Sequence, residues 1–150
     1  MESMEGVTLH PLKQFSVPKG DVFHALKSTD EGYAGFGEVY LSHIKQGEVK
    51  GWKRHNRMTL NLIVVSGTIR LVVFDDRENS NTYGQFRDFI LSPATNYQRL
   101  TVSPGLWFAF QGLGEGVSIL MNVIPETHDA TETDNKELTE IPFNFQWKDC

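Results

Sequence analysis

Residues 47–84 read GEVKGWKRHNRMTLNLIVVSGTIRLVVFDDRENSNTYG, and this stretch decides the fold. It divides into a strand, a polar break at Asn56-Arg57, a long strand rich in β-branched residues, a turn at Gly67, a returning strand and a polar loop ending at Gly84. Lys53 and His55 lie two apart on the first strand. Residues at that spacing point to one face of a sheet. If that face lines a barrel, the pair looks into the barrel.

Outward from this stretch the pattern continues. Residues 38–44 (EVYLSHI) alternate as a strand, and residues 86–91, 98–102, 106–111 and 117–124 are further strand candidates. Ser103-Pro104-Gly105 and residues 112–116 are the turns among them. Upstream, residues 9–18 (LHPLKQFSVP) read as an irregular edge strand and residues 21–27 (DVFHALK) as a short one. Downstream of Pro125 the chain turns acidic, ETHDATETDNKELTE, with room for a helical turn or two over 130–139. It closes on IPFNFQW, whose aromatics suit docking on the barrel. No amphipathic helix of useful length is visible. Many short strands at regular spacing predict an all-β fold of jelly-roll type, two antiparallel sheets closed as a barrel.

The chain has 150 residues, which suggests one domain over 1–150. A net charge of −5 argues against a nucleic-acid binder. Lys45, Lys50, Lys53, Arg54 and Arg57 nevertheless make one short window basic, as a phosphate pocket needs. The one cysteine, Cys150, is the last residue, so neither an internal disulfide nor a cysteine metal site is expected. The start, MESMEGVTLH, lacks a signal-peptide pattern, and no long apolar run predicts a membrane span. A cytoplasmic location is the expectation.

The residues also carry a family pattern. Gly47-Glu48-Val49-Lys50-Gly51-Trp52-Lys53-Arg54-His55 stands where a strand reading roughly Gly-Val-Leu-Arg-Gly-Leu-His-Phe-Gln is found in the dTDP-4-dehydrorhamnose 3,5-epimerase family. Gly67, Asp75-Asp76-Arg77 and Ser80-Asn81-Thr82-Tyr83-Gly84 follow at matching spacing, and Ser103-Pro104-Gly105-Leu106-Trp107-Phe108 corresponds to a later Pro-Gly element. The chain thus resembles these cupin-fold nucleotide-sugar epimerases over about residues 20–124. The resemblance implies a cupin barrel, commonly paired as a homodimer, and a nucleoside-diphosphate sugar as substrate, with no cofactor. The implied reaction is 3,5- or single-centre epimerisation beside the C4 ketone of a 4-keto-6-deoxyhexose, in surface polysaccharide assembly.

The departures bear on the chemistry. The resemblance puts the family's catalytic histidine at Lys53 and the glutamine two residues later at His55. The lysine that steadies the enolate falls near Leu60, and the histidine after the Pro-Gly turn becomes Phe108. The region of the catalytic tyrosine, MNVIPETHDAT, holds no tyrosine; Glu126 and His128 are its polar candidates. The general cupin metal positions read Lys53, His55, Leu60 and Phe108, one possible ligand in place of four, so no metal is expected.

Epimerisation needs a base within reach of the C–H, an acid opposite it and a donor to the developing enolate oxygen. His55, with a reference pKa of about 6.5, is the better base, and Lys53 the electrostatic partner. Lys50 matches the family's phosphate-binding arginine, keeping the charge but losing the bidentate fork. Tyr40 is a candidate for the missing acid, and Trp107 for stacking on a base or sugar. Asp75, Arg77, Ser80 and Thr82 read as residues that fix a loop by local hydrogen bonds. Two alternatives to an epimerase stay open: an inactive cupin that binds a nucleotide sugar, and a nucleotide-sugar 3,4-ketoisomerase.

Overall fold

The computed structural model describes residues 3–140 and 145–149. Its strands are β1 (Val7–Pro11), β2 (Gln14–Phe15), β3 (Val22–Phe23), β4 (Glu38–Lys45), β5 (Val49–His55), β6 (Leu60–Ser66), β7 (Ile69–Phe74), β8 (Phe86–Leu91), β9 (Gln98–Val102), β10 (Trp107–Gly112), β11 (Val117–Ile124) and β12 (Thr133–Asn135). One sheet has the order β1-β9-β6-β11-β4, the other β12-β5-β10-β7-β8, and every ladder in them is antiparallel. The two sheets face each other as a jelly roll.

Alternation along the strands builds the core. Leu60, Leu62 and Val64 of β6 meet Ile69, Leu71 and Val73 of β7 across the gap between the sheets, with Leu100, Val102, Leu106 and Leu120 around them. The second sheet is apolar on its other face too. There Trp52, Val72, Phe74, Trp107 and Ala109 form a separate cluster, roofed by Phe86, Leu138, Phe145 and Trp147. The C-terminal aromatics at 145 and 147 therefore do dock on the barrel, while Phe143 lies outside the described residues.

Three segments differ from the sequence reading. The strand expected over 21–27 shrinks to Val22–Phe23, because its partner is the two-residue β2 alone and a turn closed by Gly20 N–H on Val17 C=O joins them. The N-terminal edge strand lies earlier than expected, at Val7–Pro11 beside β9, where an edge tolerates Pro11. Residues 130–135 are not helical turns of the ordinary kind. A 3₁₀ turn, Ala130–Glu132, leads straight into β12, which adds to the edge of β5. Asp129 caps that turn by accepting from Thr131 N–H at 2.9 Å.

Candidate active site

The site begins with an irregularity in β5. In the ladder with β10, Lys53 lies opposite Phe108 and Lys50 opposite Phe110, so Gly51 and Trp52 together face the single residue Ala109. This is a β-bulge, and it shifts the alternation by one. Lys50 and Lys53, three apart, would point to opposite faces of a regular strand. Past the bulge they point to the same inner face, and His55 joins them. Trp52 is turned outward into the second apolar cluster. Gly51 is required here. Its φ is +147°, and a Cβ on it would stand 2.3 Å from the Cβ of Ala109.

Tyr40 and Ser42 of β4, Lys50, Lys53 and His55 of β5, and Asn122 of β11 surround a cavity of about 190 Å³, floored by Leu60, Phe108 and Phe110. Residues from both sheets thus face one another across it. Its size is below the roughly 300–1,000 Å³ of pockets that enclose a drug-sized ligand. It suits one sugar ring with the rest of a larger ligand lying outside. A larger cavity of about 370 Å³ lies between residues 11–13 and 24–30. The chemistry is not there: its carboxylate, Asp30, is spent on the Lys27 backbone N–H at 2.8 Å, and His24 packs its ring on Phe15.

His55 does not act alone. Its Nδ1 is hydrogen-bonded to Glu132 Oε1, and Glu132 is 3% exposed. The other oxygen of Glu132 accepts the backbone N–H groups of Arg57 at 3.1 Å and Met58 at 3.2 Å. Burial works to raise the pKa of this carboxyl. The hydrogen bonds from His55 and from the two backbone amides outweigh burial and hold it below the usual glutamate value. An ionised Glu132 accepts the hydrogen bond from His55 Nδ1–H, which keeps the proton on Nδ1 and leaves Nε2 as the basic nitrogen. The carboxylate orients the ring and stabilises the imidazolium formed when that nitrogen takes a proton.

Tyr40 comes from the opposite sheet. It pairs directly with Asn122 in the β4–β11 ladder, and Asn122 Nδ2 donates to its hydroxyl at 3.0 Å. Burial pushes the phenol's pKa up, against the pull of the Asn122 bond, so the hydroxyl keeps its proton at neutral pH. Lys50 Nζ donates to the carbonyl of His43 at 2.6 Å, which ties the β5 ammonium back to β4. Lys53 is exposed at the rim.

Trp107 must be corrected. It does not line the cavity. On β10 the inward positions belong to Phe108 and Phe110, and Trp107 faces the other way, buried under the Arg54 guanidinium at 4.7 Å with its Nε1 donating to Asp76 at 2.8 Å. Glu126 and His128 also lie elsewhere. Glu126 pairs with Arg57 at 2.7 Å on the surface, and the His128 backbone N–H donates to Glu38. The carboxylate that matters, Glu132, is one of many in an acidic run. Only the pairing of Thr133 with His55 in β12 singles it out.

The Asp75 loop is a closed hydrogen-bond set away from the cavity. Burial tends to raise the Asp75 carboxyl, but Arg77, Ser80 and Thr82 donate to it at 2.8, 2.5 and 2.6 Å and hold it well below the carboxylate range. Among the described residues no three His, Cys, Asp or Glu side chains are grouped as a metal ion would need.

Comparison with known proteins agrees with this architecture. A family model described as dTDP-4-dehydrorhamnose 3,5-epimerase matches residues 3–149, and the chain belongs to that family. A dTDP sugar isomerase from Desulfovibrio desulfuricans G20 superposes with a TM-score of 0.89 at 32% identity, over 96% of this chain and 92% of that one. The probable low-salt glycan biosynthesis epimerase Agl13 of Haloferax volcanii is 25% identical over 146 residues, 96% of this chain and 91% of that protein. ChmJ, a 3'-monoepimerase from Streptomyces bikiniensis solved with dTDP-quinovose, shares the fold with a TM-score of 0.87 at 17% identity, over 99% of this chain and 78% of that one. The cupin fold and a place among sugar-nucleotide epimerases are thereby established.

Proposed function

We propose that this protein epimerises a nucleotide-linked 4-keto-6-deoxyhexose during glycan assembly, with His55 as the base and Tyr40 as the acid. One observation carries the reading: a buried carboxylate, Glu132, holds His55 in one sheet across the cavity from a protonated tyrosine in the other. His55 Nε2 takes the proton from the carbon beside the ketone. The electron pair moves to the carbonyl oxygen as an enolate, which the Lys53 ammonium stabilises. Tyr40 then delivers a proton to the opposite side of that carbon; the His55 imidazolium releases its proton to water and the phenolate takes one back from water, which restores both groups. Such general acid–base steps contribute roughly 10²–10⁴-fold each. Lys50 stands at the edge of the cavity where a diphosphate would pass. The relatives named above include proteins described with dTDP sugars, which supports the same class of substrate here.

A pure binding module is the poorer reading. A buried Glu132–His55 pair brings no more stability than an apolar pair of the same size would, so its presence beside the cavity favours a chemical role. The outer face of the first sheet presents Val39, Leu41 and Val117, 46%, 58% and 44% exposed, on and beside the edge strand β4. That apolar edge supports assembly as a homodimer. Among the described residues no helix is long and apolar enough to cross a membrane; we place the protein in the cytoplasm, where nucleotide sugars are made.

The test is incubation with dTDP-4-keto-6-deoxyglucose in D2O. Deuterium at C3 or C5, with a new epimer in the NMR spectrum, is the expected result. A 3,4-ketoisomerase would instead move the carbonyl to C3. Absence of exchange with dTDP-, UDP- and GDP-linked ketosugars alike would sink the proposal.

A further inference from the structure

We propose that Asn122 serves this site in two ways at once: its Nδ2 sets the Tyr40 hydroxyl so that the phenolic proton faces the cavity, and its Oδ1 accepts a hydrogen bond from a hydroxyl of the sugar ring. The assignment rests on the epimerase reading above.

The inward positions of β11 explain why Asn122 stands out. Its neighbours on that face, Leu120 and Ile124, are 3% and 1% exposed and belong to the core. A leucine between them would continue the core. Asn122 takes the position instead, 5% exposed and lining the cavity. Its Nδ2 donates to Tyr40 Oη at 3.0 Å, while its Oδ1 is buried with no partner. A buried acceptor left unpaired is a cost to the folded protein, and such groups call for an explanation. Among the described residues the other buried side-chain atoms in this condition, His10 Nε2 and Trp147 Nε1, do not line the cavity that holds the acid and base.

The geometry fixes both roles. Tyr40 and Asn122 are directly opposed in the ladder, so their side chains lie side by side on the inner face. Because Oη accepts from the amide, its own hydrogen must take another direction, and the cavity is the space beside it. Oδ1 can only accept, so its ligand group must donate; a ring hydroxyl does, and the ketone does not. A site built around such an acceptor rejects a ligand that lacks the matching hydroxyl.

The test uses dTDP-6-deoxyglucose, which lacks the ketone and does not turn over, with dTDP alone as control. Asn122→Ala is expected to weaken binding of the sugar nucleotide on the order of tenfold while leaving dTDP binding unchanged. Unchanged dTDP binding also shows that the variant is folded. Removing the ring hydroxyls one at a time from the ligand is expected to reproduce that loss for one of them on the wild-type protein, and to cost nothing further on Asn122→Ala. Asn122→Asp keeps an acceptor but no donor, and its carboxylate draws the Tyr40 proton away from the cavity. With the ketosugar in D2O it is expected to go on exchanging deuterium into unchanged substrate while epimer formation falls at least tenfold. Wild-type affinity of Asn122→Ala for dTDP-6-deoxyglucose, or tolerance of every deoxy ligand by the wild type, overturns the assignment but not the epimerase reading. A wild-type protein that binds no nucleotide sugar overturns both.

Discussion

Glu132 reaches His55 from 77 positions further along the chain, because the residue after it, Thr133, pairs with His55 itself in the β12–β5 ladder. Arg54 and Asn56 fasten the same short strand through Asp134, at 2.7 and 3.0 Å. The backbone of Trp52 exchanges hydrogen bonds with Lys136 at 2.9 and 3.0 Å. The base of the proposed reaction is thus oriented by an edge strand that is clamped at both ends.

Glu132→Gln keeps the size of the side chain but removes its charge and offers His55 a less favourable partner. The turnover number is expected to fall on the order of 10²-fold or more, with KM little changed. The shape of the pH–rate profile is expected to change as well, since the imidazolium formed during turnover loses its counter-charge. Steady-state kinetics from pH 5 to pH 9 decides this; an unchanged profile would show that the carboxylate does not act through His55.

Tyr40→Phe and His55→Asn separate the two proton transfers. Without the phenol, His55 still removes a proton and returns a deuteron to the same side, so substrate exchanges in D2O while epimer falls on the order of 10²-fold. Without the imidazole both signals disappear. NMR of the recovered sugar reads both at once, and epimer formed at the wild-type rate by Tyr40→Phe would remove Tyr40 from the mechanism.

Gly51→Ala tests the bulge. A methyl group there meets Ala109 at a backbone conformation that side chains avoid. A loss of about 2–4 kcal/mol is expected from the clash and the strain together. The denaturation midpoint measures it. Any folded fraction is expected to bind nucleotide sugar poorly, because relaxing the bulge turns Lys50 away from Lys53.

The Asp75 loop sets an acid limit. Its carboxyl has a folded pKa held below the unfolded value, so its contribution is complete above about pH 4 and is lost as the pH falls through the folded value. Glu132, also lowered, adds to the same trend. Asp75→Asn is expected to lower stability by about 2–4 kcal/mol at pH 7 and to flatten the decline in acid. Thermal melts of both proteins from pH 7 down into the strongly acid range well below pH 3 show whether the curves converge.

Much of the fold could be read from the chain because its signals are local. The alternation in β4 and β11, the β-branched run of β6 and the turn at Gly67 each lie within a few residues. The pairing of Lys53 with His55 on one face follows from spacing alone. Lys50 also faces the cavity, but for a reason no spacing rule gives, since the bulge at Gly51-Trp52 changes the phase. Trp107 looked like a stacking residue beside a Pro-Gly turn, and alternation on β10 put Phe108 inward instead. Glu132 was hidden among the carboxylates of an acidic run, where only long-range strand pairing distinguishes one from the next. Asn122, on an otherwise apolar strand face, carried a readable signal in its contrast with Leu120 and Ile124.

The placement of β12 divides the molecule's labour along its length. Both five-stranded sheets, apart from β12 itself, are complete by Ile124, and the carboxylate that orients His55 arrives on a short appendage added at the rim. The barrel can therefore stay fixed while the partner of the base is exchanged by altering a handful of residues near 132. Proteins built on this plan can change how their base is tuned, or whether it is tuned at all, without repacking a single core side chain.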